Sequence, residues 1–166
     1  LEDSGIDLRF LERRADAGPQ VTVVMTDAED RAFLSCRAGR AVPARFAHAL
    51  EWERAALLHV AEYATLAEQP DLVSRAKAAG LTVALDPSWD ETLIGKPGLL
   101  KACAGVDIFL PNAEEAIAIT GKADLDAALD VLVEHFSVVA IKCGGRGALL
   151  GAGDRRVGRS AGGFWH

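Results

Sequence analysis

The chain has 166 residues, half of them apolar, and a formal net charge of −6. That is enough to bury one substantial core and excludes a disordered chain or a miniature scaffold. The 18 basic residues are scattered rather than gathered into a stripe, which argues against a nucleic-acid partner.

No apolar run approaches the ~18 residues of a membrane span and no basic-then-apolar leader opens the chain, so no membrane partner is expected. Cys36, Cys103 and Cys143 are odd in number and far apart. They suit neither a disulfide framework nor a zinc site, and fit reduced thiols in a cytoplasmic protein. The chain opens at Leu1 without an initiator methionine and stops at "AGGFWH", as expected of a piece of a longer protein.

In chain order, "QVTVVMTDAEDRAFLSC" predicts a β-hairpin with strands Val21–Thr26 and Ala32–Cys36 around a polar turn, Asp27 to Asp30. From about Leu57, short β-rich runs alternate with helical patterns. The runs are "ALLHVA" (Ala56 to Ala61), "LTVALDP" (Leu81 to Pro87), "VDIFLPN" (Val106 to Asn112) and "SVVAIKC" (Ser137 to Cys143). Near-continuous apolarity marks strands covered on both faces of a parallel sheet.

Between the first two runs, Leu72, Val73, Ala76 and Ala79 recur at helical spacing and Gly80 supplies a stop. The next crossover, about residues 91–104, carries Leu93, Leu99, Leu100 and Ala104. Asp124 is placed to cap a further helix that runs to Phe136. "GALLGAGDRRVGR" predicts a closing hairpin with its turn at Gly151 to Asp154. The pattern is that of an open α/β sheet.

The junction "LPNAEEAIAITG", Leu110 to Gly121, carries the strongest chemical signal. Asn112 followed three residues later by Glu115 is a capping box, and both Glu114 and Glu115 suit the positive end of a helix. The same helix start lies at the carboxyl end of a parallel strand, where open α/β sheets bind ligands. A carboxylate there can hold magnesium directly or through water, and an asparagine amide can hydrogen-bond phosphate or a metal-bound water. Glu62, Asp86 and the glycine-rich turn after Lys142 stand at the other strand ends. Taken singly each reads as structural; together they suggest a site for a polar, anionic ligand.

Three other matches fail on context. "GRSAG" (Gly158 to Gly162) has the spacing of a nucleophile elbow around Ser160, but too little chain follows for the helix, acid and histidine. "GGRGALLGAG" puts Leu150 where a dinucleotide-binding loop needs its third glycine, and runs into β-like sequence. "TGKA" (Thr120 to Ala123) lacks both the first glycine and the Ser/Thr of a P-loop.

The order of these features resembles the ribokinase-like, phosphofructokinase-B-type carbohydrate kinases over nearly the whole chain. The residues that carry the resemblance are "GIDLRF" (Gly5 to Phe10), "DAEDRAFL" (Asp27 to Leu34), "DPSWD" (Asp86 to Asp90), "LPNAEEAIAITG" and "AIKCGGRGALL" (Ala140 to Leu150). The fold so implied is a ribokinase-like open, mostly parallel sheet with flanking helices and a small β lid. It would place a partial lid and its connection at 1–53 and the α/β core at 54–166.

The activity implied is transfer of the γ-phosphoryl group of ATP to a hydroxyl of a sugar or nucleoside, with Mg2+. By position in the motifs, Asn112 and Glu115 match the segment that organises magnesium and the phosphates, with Glu115 on the metal. Lys142, Gly144 and Gly147 match the segment lining the ATP site, and Glu62 matches a carboxylate on the sugar hydroxyls. The lid implies a possible homodimer.

Two departures qualify the likeness. The family's early Gly-Gly-x-x-x-Asn sugar motif has no counterpart. "GAGD" at Gly151 to Asp154 lacks the preceding Thr-Thr and the following helix start, so it reads as a hairpin turn and no catalytic base is assigned. The expectation is therefore a chain inactive by itself as a kinase, or alternatively a non-catalytic sugar- or nucleotide-binding or dimerising fragment of the same fold. "DPSWD" has Trp89 and Asp90 where several sugar-acid kinases have an arginine in the equivalent stretch, which leaves the substrate open.

Overall fold

A computed structural model of the chain describes residues 2–12, 21–26, 31–36, 46–52, 55–90 and 92–159. The chain divides into two compact units, Leu1–Ala49 and Leu50–His166.

In the first unit, β1 (Val21–Thr26) pairs antiparallel with β2 (Arg31–Cys36), in register from Val21 opposite Cys36 to Thr26 opposite Arg31. The ribbon is as expected, while its turn at 27–30 lies outside the described residues. The Thr22 and Ser35 hydroxyls meet across it at 2.9 Å. Val21, Val23, Val24, Met25 and Leu34 stay about half exposed or more. A short helix, α1 (Phe46–Leu50), spans the junction to the second unit.

The second unit is a six-stranded sheet: β3 (Leu57–Val60), β4 (Thr82–Leu85), β5 (Ile108–Phe109), β6 (Val138–Lys142), β7 (Ala148–Ala152) and β8 (Arg155–Arg159), in that spatial order. The first four strands are parallel and the last two antiparallel. The four predicted parallel strands and the closing hairpin are present. The third is only two residues long, yet its run stays on the sheet beyond them: the Leu110 N–H donates to the Leu85 carbonyl at 2.9 Å and the Lys142 N–H to the Pro111 carbonyl at 2.8 Å.

Between β3 and β4, the expected single helix is two, α2 (Tyr63–Glu68) and α3 (Leu72–Ala78). Pro70 separates them, since proline can neither donate the helical hydrogen bond nor admit a helical neighbour before it. Leu72, Val73 and Ala76 are buried as the spacing predicts, but Ala79 is exposed because the helix has ended and Gly80 is left-handed. From 92 to 98 the next crossover is mostly turns. α4 covers Leu99–Ala102, starting after Pro97 and the left-handed Gly98, and the buried anchors of the whole crossover are Ile94, Leu99 and Cys103 rather than Leu93 and Ala104. Two further helices follow, α5 (Ala113–Thr120) and α6 (Leu125–Val133), and the Asp124 side chain caps α6 by accepting from the Ala127 N–H at 2.8 Å.

The core runs along the sheet through Val83, Leu85, Phe109, Val139 and Ile141 and is closed by Leu129, Leu132 and Phe136. Phe109 and Phe136 stack with ring centroids 4.3 Å apart, worth about 0.5–1.5 kcal/mol beyond their burial. At the amino end of β5, Asp107 accepts from the Val83 N–H at 2.8 Å and from Lys77 at 2.7 and 2.8 Å, tying β4, β5 and α3 together. These bonds hold the Asp107 carboxyl below its usual range, Lys77 contributing most. "GAGD" lies in the expected hairpin, but its turn is only Gly153 and Asp154: Gly151 and Ala152 end β7, Gly153 is left-handed, and Ala152 pairs with Arg155.

Gly151 is set by packing. A Cβ there would lie 2.7 Å from a Val133 methyl and 2.9 Å from a Leu129 methyl on α6. Gly151→Val is expected to destabilise the chain by about 1–3 kcal/mol, the scale of overpacking, read as a lower urea midpoint at constant slope. Gly158→Val, whose Cβ would meet Leu149 at an ordinary 3.9 Å, is expected to shift stability by no more than about 0.5 kcal/mol.

Candidate functional site

Parallel strands end together, so the residues that follow them line one edge of the sheet. After β3 comes Glu62, after β4 Asp86, after β5 Asn112, and at the end of β6 Lys142.

The Asn112–Glu115 pair forms at the start of α5. Asn112 has extended backbone and its Oδ1 accepts the Glu115 N–H at 2.8 Å, while Glu115 Oε2 accepts the Asn112 N–H at 2.7 Å. The capping box is reciprocal, and it decides which atoms remain. The Asn112 Nδ2 and the Glu115 Oε1 have no hydrogen-bond partner among the described residues, leaving the two N–H donors of one amide and one carboxylate oxygen as acceptor.

Glu115 is 3% exposed and is the one buried charged side chain among the described residues. Burial pushes its carboxyl above the usual glutamate range. The Asn112 N–H opposes this, Asp86 adds to it, Lys142 offsets it, and Glu114 adds a little. Asp86 and Lys142 are therefore close enough to be felt by Glu115.

They are also paired with each other: the Lys142 ammonium donates to Asp86 Oδ2, joining the ends of β4 and β6 across β5. The backbone places both. The Lys142 N–H donates to the Pro111 carbonyl at 2.8 Å, Asn112 and Lys142 form an isolated parallel bridge, and the Asp86 N–H donates to Val60 at 2.9 Å. Asp86, Asn112, Glu115 and Lys142 thus form one cluster.

Gly144 and Gly147 bracket the 3-10 turn after β6, which the Cys143 N–H closes by donating to the Gly147 carbonyl at 2.8 Å. Gly147 sits at φ 92°, ψ −133°, a region only glycine occupies without strain. The turn leads into β7 and not into a helix, as the dinucleotide-loop argument required. Glu62 lies at the other side of the edge, two strands from β5, as the extended residue before α2, and the Thr65 hydroxyl donates to its Oε1 at 3.5 Å. The Tyr63 N–H donates to the Pro87 carbonyl at 2.8 Å, which joins that end to the segment after β4. Ser160 lies outside the described residues.

Two features were hidden from the sequence. Asp86 reads as an Asp-Pro turn, and nothing local signals Lys142 as its partner 56 residues away. Ser88 is the one non-glycine with positive φ among the described residues, at 56°, and Trp89 beside it is half exposed. Asp90 accepts from the Thr92 N–H and hydroxyl at 2.8 and 2.6 Å, so it closes a turn.

The residues suit magnesium bound together with a phosphate ligand. The ion commonly takes one or two carboxylates, keeps several waters and completes its shell with phosphate oxygens. Glu115 and Asp86 offer two carboxylates, and no group of three or more His, Cys, Asp or Glu is gathered for a metal among the described residues.

The family model described as pfkB family carbohydrate kinase matches residues 1–161. A search of curated protein sequences returns no match. Among solved structures, fructokinase from Vibrio cholerae O395 in fructose-, ADP- and calcium-bound form is 20% identical, with TM-score 0.71, over 96% of this chain and 56% of that one. Adenosine kinase from Sinorhizobium meliloti is 18% identical with TM-score 0.72, over 87% and 47%. Ribokinase from Arabidopsis thaliana, complexed with ribose and ATP, is 15% identical with TM-score 0.64, over 87% and 49%. The chain thus spans about half the length of the structures it matches, and the likeness identifies the fold as ribokinase-like.

The raised carboxyl of Glu115 carries a sign. The folded chain holds this proton more tightly than the unfolded chain, so ionisation costs stability as pH rises from the ordinary value of 4.5 through the folded value. Glu115→Gln keeps the capping acceptor without the charge. Thermal melts from about pH 4 to pH 8 are expected to show wild type losing stability relative to the variant as pH rises.

Proposed function

Since this chain belongs to the pfkB family of carbohydrate kinases, we propose that it carries the nucleotide- and metal-binding side of an ATP-dependent kinase acting on a hydroxyl of a sugar or nucleoside. The observation that carries this reading is the cluster at the ends of β4, β5 and β6: a buried carboxylate with one uncommitted oxygen, an asparagine amide with an uncommitted N–H2, and a lysine.

In this reading the Asn112 Nδ2 donates to a phosphate oxygen or to a metal-bound water, and Glu115 Oε1 anchors the hydrated cation. Lys142 supplies positive charge to the phosphates, and the Gly144–Gly147 turn lets the nucleotide approach the backbone closely. Magnesium, when bound, supplies neutralisation of charge on the β- and γ-phosphates. Catalysis of this kind is positioning and electrostatics, which is why rigid strand ends suit it. Glu62, at the β3 end, is assigned to sugar hydroxyls. We assign 1–53 to a partial lid with its connection, 54–166 to the core, and a cytoplasmic setting. The exposed apolar side chains of the β1–β2 ribbon support a homodimer formed through it. No helix among the described residues is long and apolar enough to cross a membrane.

A second reading, binding without transfer by this chain alone, is favoured by one observation: Gly151 to Asp154 is spent on a β-hairpin and leads into no helix. Calorimetric titration with ADP and Mg2+ tests the binding common to both. Binding is expected, weakened at least about tenfold by Asn112→Ala or Lys142→Met, the scale of a hydrogen bond to a charged group. Affinity unchanged by both substitutions, or no detectable binding, would sink the site. An ATP-consumption assay over fructose, ribose and adenosine then separates the two readings.

A further inference from the structure

The Asp86–Lys142 ion pair joins the strand ends on either side of β5, and Lys142 is bridged to Asn112, whose N–H the one buried carboxylate of the site accepts. Lys142 is 48% exposed and Asp86 28%, so the pair is in contact with solvent, where ion pairs hold weakly and are readily exchanged. The backbones beneath it are fixed: Lys142 is bridged to Asn112 and bonded to Pro111, and Asp86 is bonded to Val60. The long, flexible lysine stem can therefore change partner without any strand moving. Asp86 Oδ1 receives a single hydrogen bond from the Ser88 N–H at 3.4 Å, and Oδ2 takes the ammonium. Removing the ammonium leaves Asp86 as a second carboxylate on the same sheet edge as Glu115, at the end of the neighbouring strand.

We propose that Lys142 is exchanged between two partners: without ligand its ammonium occupies Asp86, and nucleotide phosphates draw it away, releasing Asp86 to a divalent cation held with Glu115. The proposal rests on the nucleotide reading above and adds to it a source of cooperativity. Phosphate and cation each favour the same Lys142 position, so each strengthens the binding of the other by the same factor. A cation arriving alone must instead compete with the ammonium for Asp86. The exchange forms and breaks no covalent bond.

The test uses Mn2+ alone, with the free ion followed by its EPR signal, on the full chain and on variants shown by a cooperative thermal melt to be folded at the assay temperature. Lys142→Met is expected to tighten Mn2+ binding about fivefold, the scale of an exposed ion pair. In the Asp86→Asn background the same substitution is expected to give almost no gain, because no carboxylate is left to unmask. No gain in the parent chain, or an equal gain in both backgrounds, overturns the exchange. The latter outcome would mean that loss of a positive charge acts at a distance.

Failure of the underlying site reading shows differently, as Mn2+ affinity that Glu115→Gln leaves unchanged. That outcome overturns the exchange as well, whatever Lys142→Met does. Mn2+ binding that is lost with Glu115→Gln but indifferent to Lys142→Met overturns the exchange alone.

Discussion

The site depends on one buried carboxylate. Glu115 is almost wholly out of water, and a charge so placed is costly unless its oxygens find donors. One oxygen does, in the Asn112 N–H, and the return bond from the Glu115 N–H to Asn112 locks the first turn of α5. The two bonds leave the other oxygen and the asparagine amide uncommitted at the sheet edge. The same contact thus starts a helix and aims two polar groups.

The sheet is organised to hold that contact in place. β5 pairs through two residues only, yet it is flanked on both sides by longer parallel strands. At its amino end Asp107 ties it to β4 and α3, and its second residue, Phe109, is stacked on Phe136. At its carboxyl end Pro111 and Asn112 are joined to Lys142. A short strand so clamped leaves the start of α5 little freedom, and the rigidity of a phosphate site comes from such supports.

Charge is distributed unevenly across this edge. Glu115 is dry and pushed toward protonation, while Asp86 and Lys142 are wet and paired. The dry group costs stability when ionised, and the wet pair contributes little to it. Neither feature adds to folding stability, which is the trade expected of the proposed binding role.

Residues close in sequence and strongly patterned were readable directly. The Asn112-x-x-Glu115 spacing specifies a capping box, the apolar runs specify parallel strands, and the lack of a preceding Thr-Thr and of a following helix start marks "GAGD" as part of a hairpin. The helix between β3 and β4 was misjudged where Pro70 interrupts it, because periodicity on both sides hides the break. The 91–104 crossover was misjudged because its apolar residues fit a helix that Pro97 and Gly98 forbid.

What tertiary structure alone decided is long-range. The partnership of Asp86 with Lys142, the burial of Glu115, the Asp107 link to Lys77 and Val83, and the clash that keeps residue 151 a glycine all depend on segments that sequence spacing does not relate. Local hydrogen bonds and periodicity act within a turn or a strand and so leave a trace in the sequence. Side-chain contacts between strand ends depend on the order in which the strands lie in the sheet, and no short stretch of sequence encodes that order.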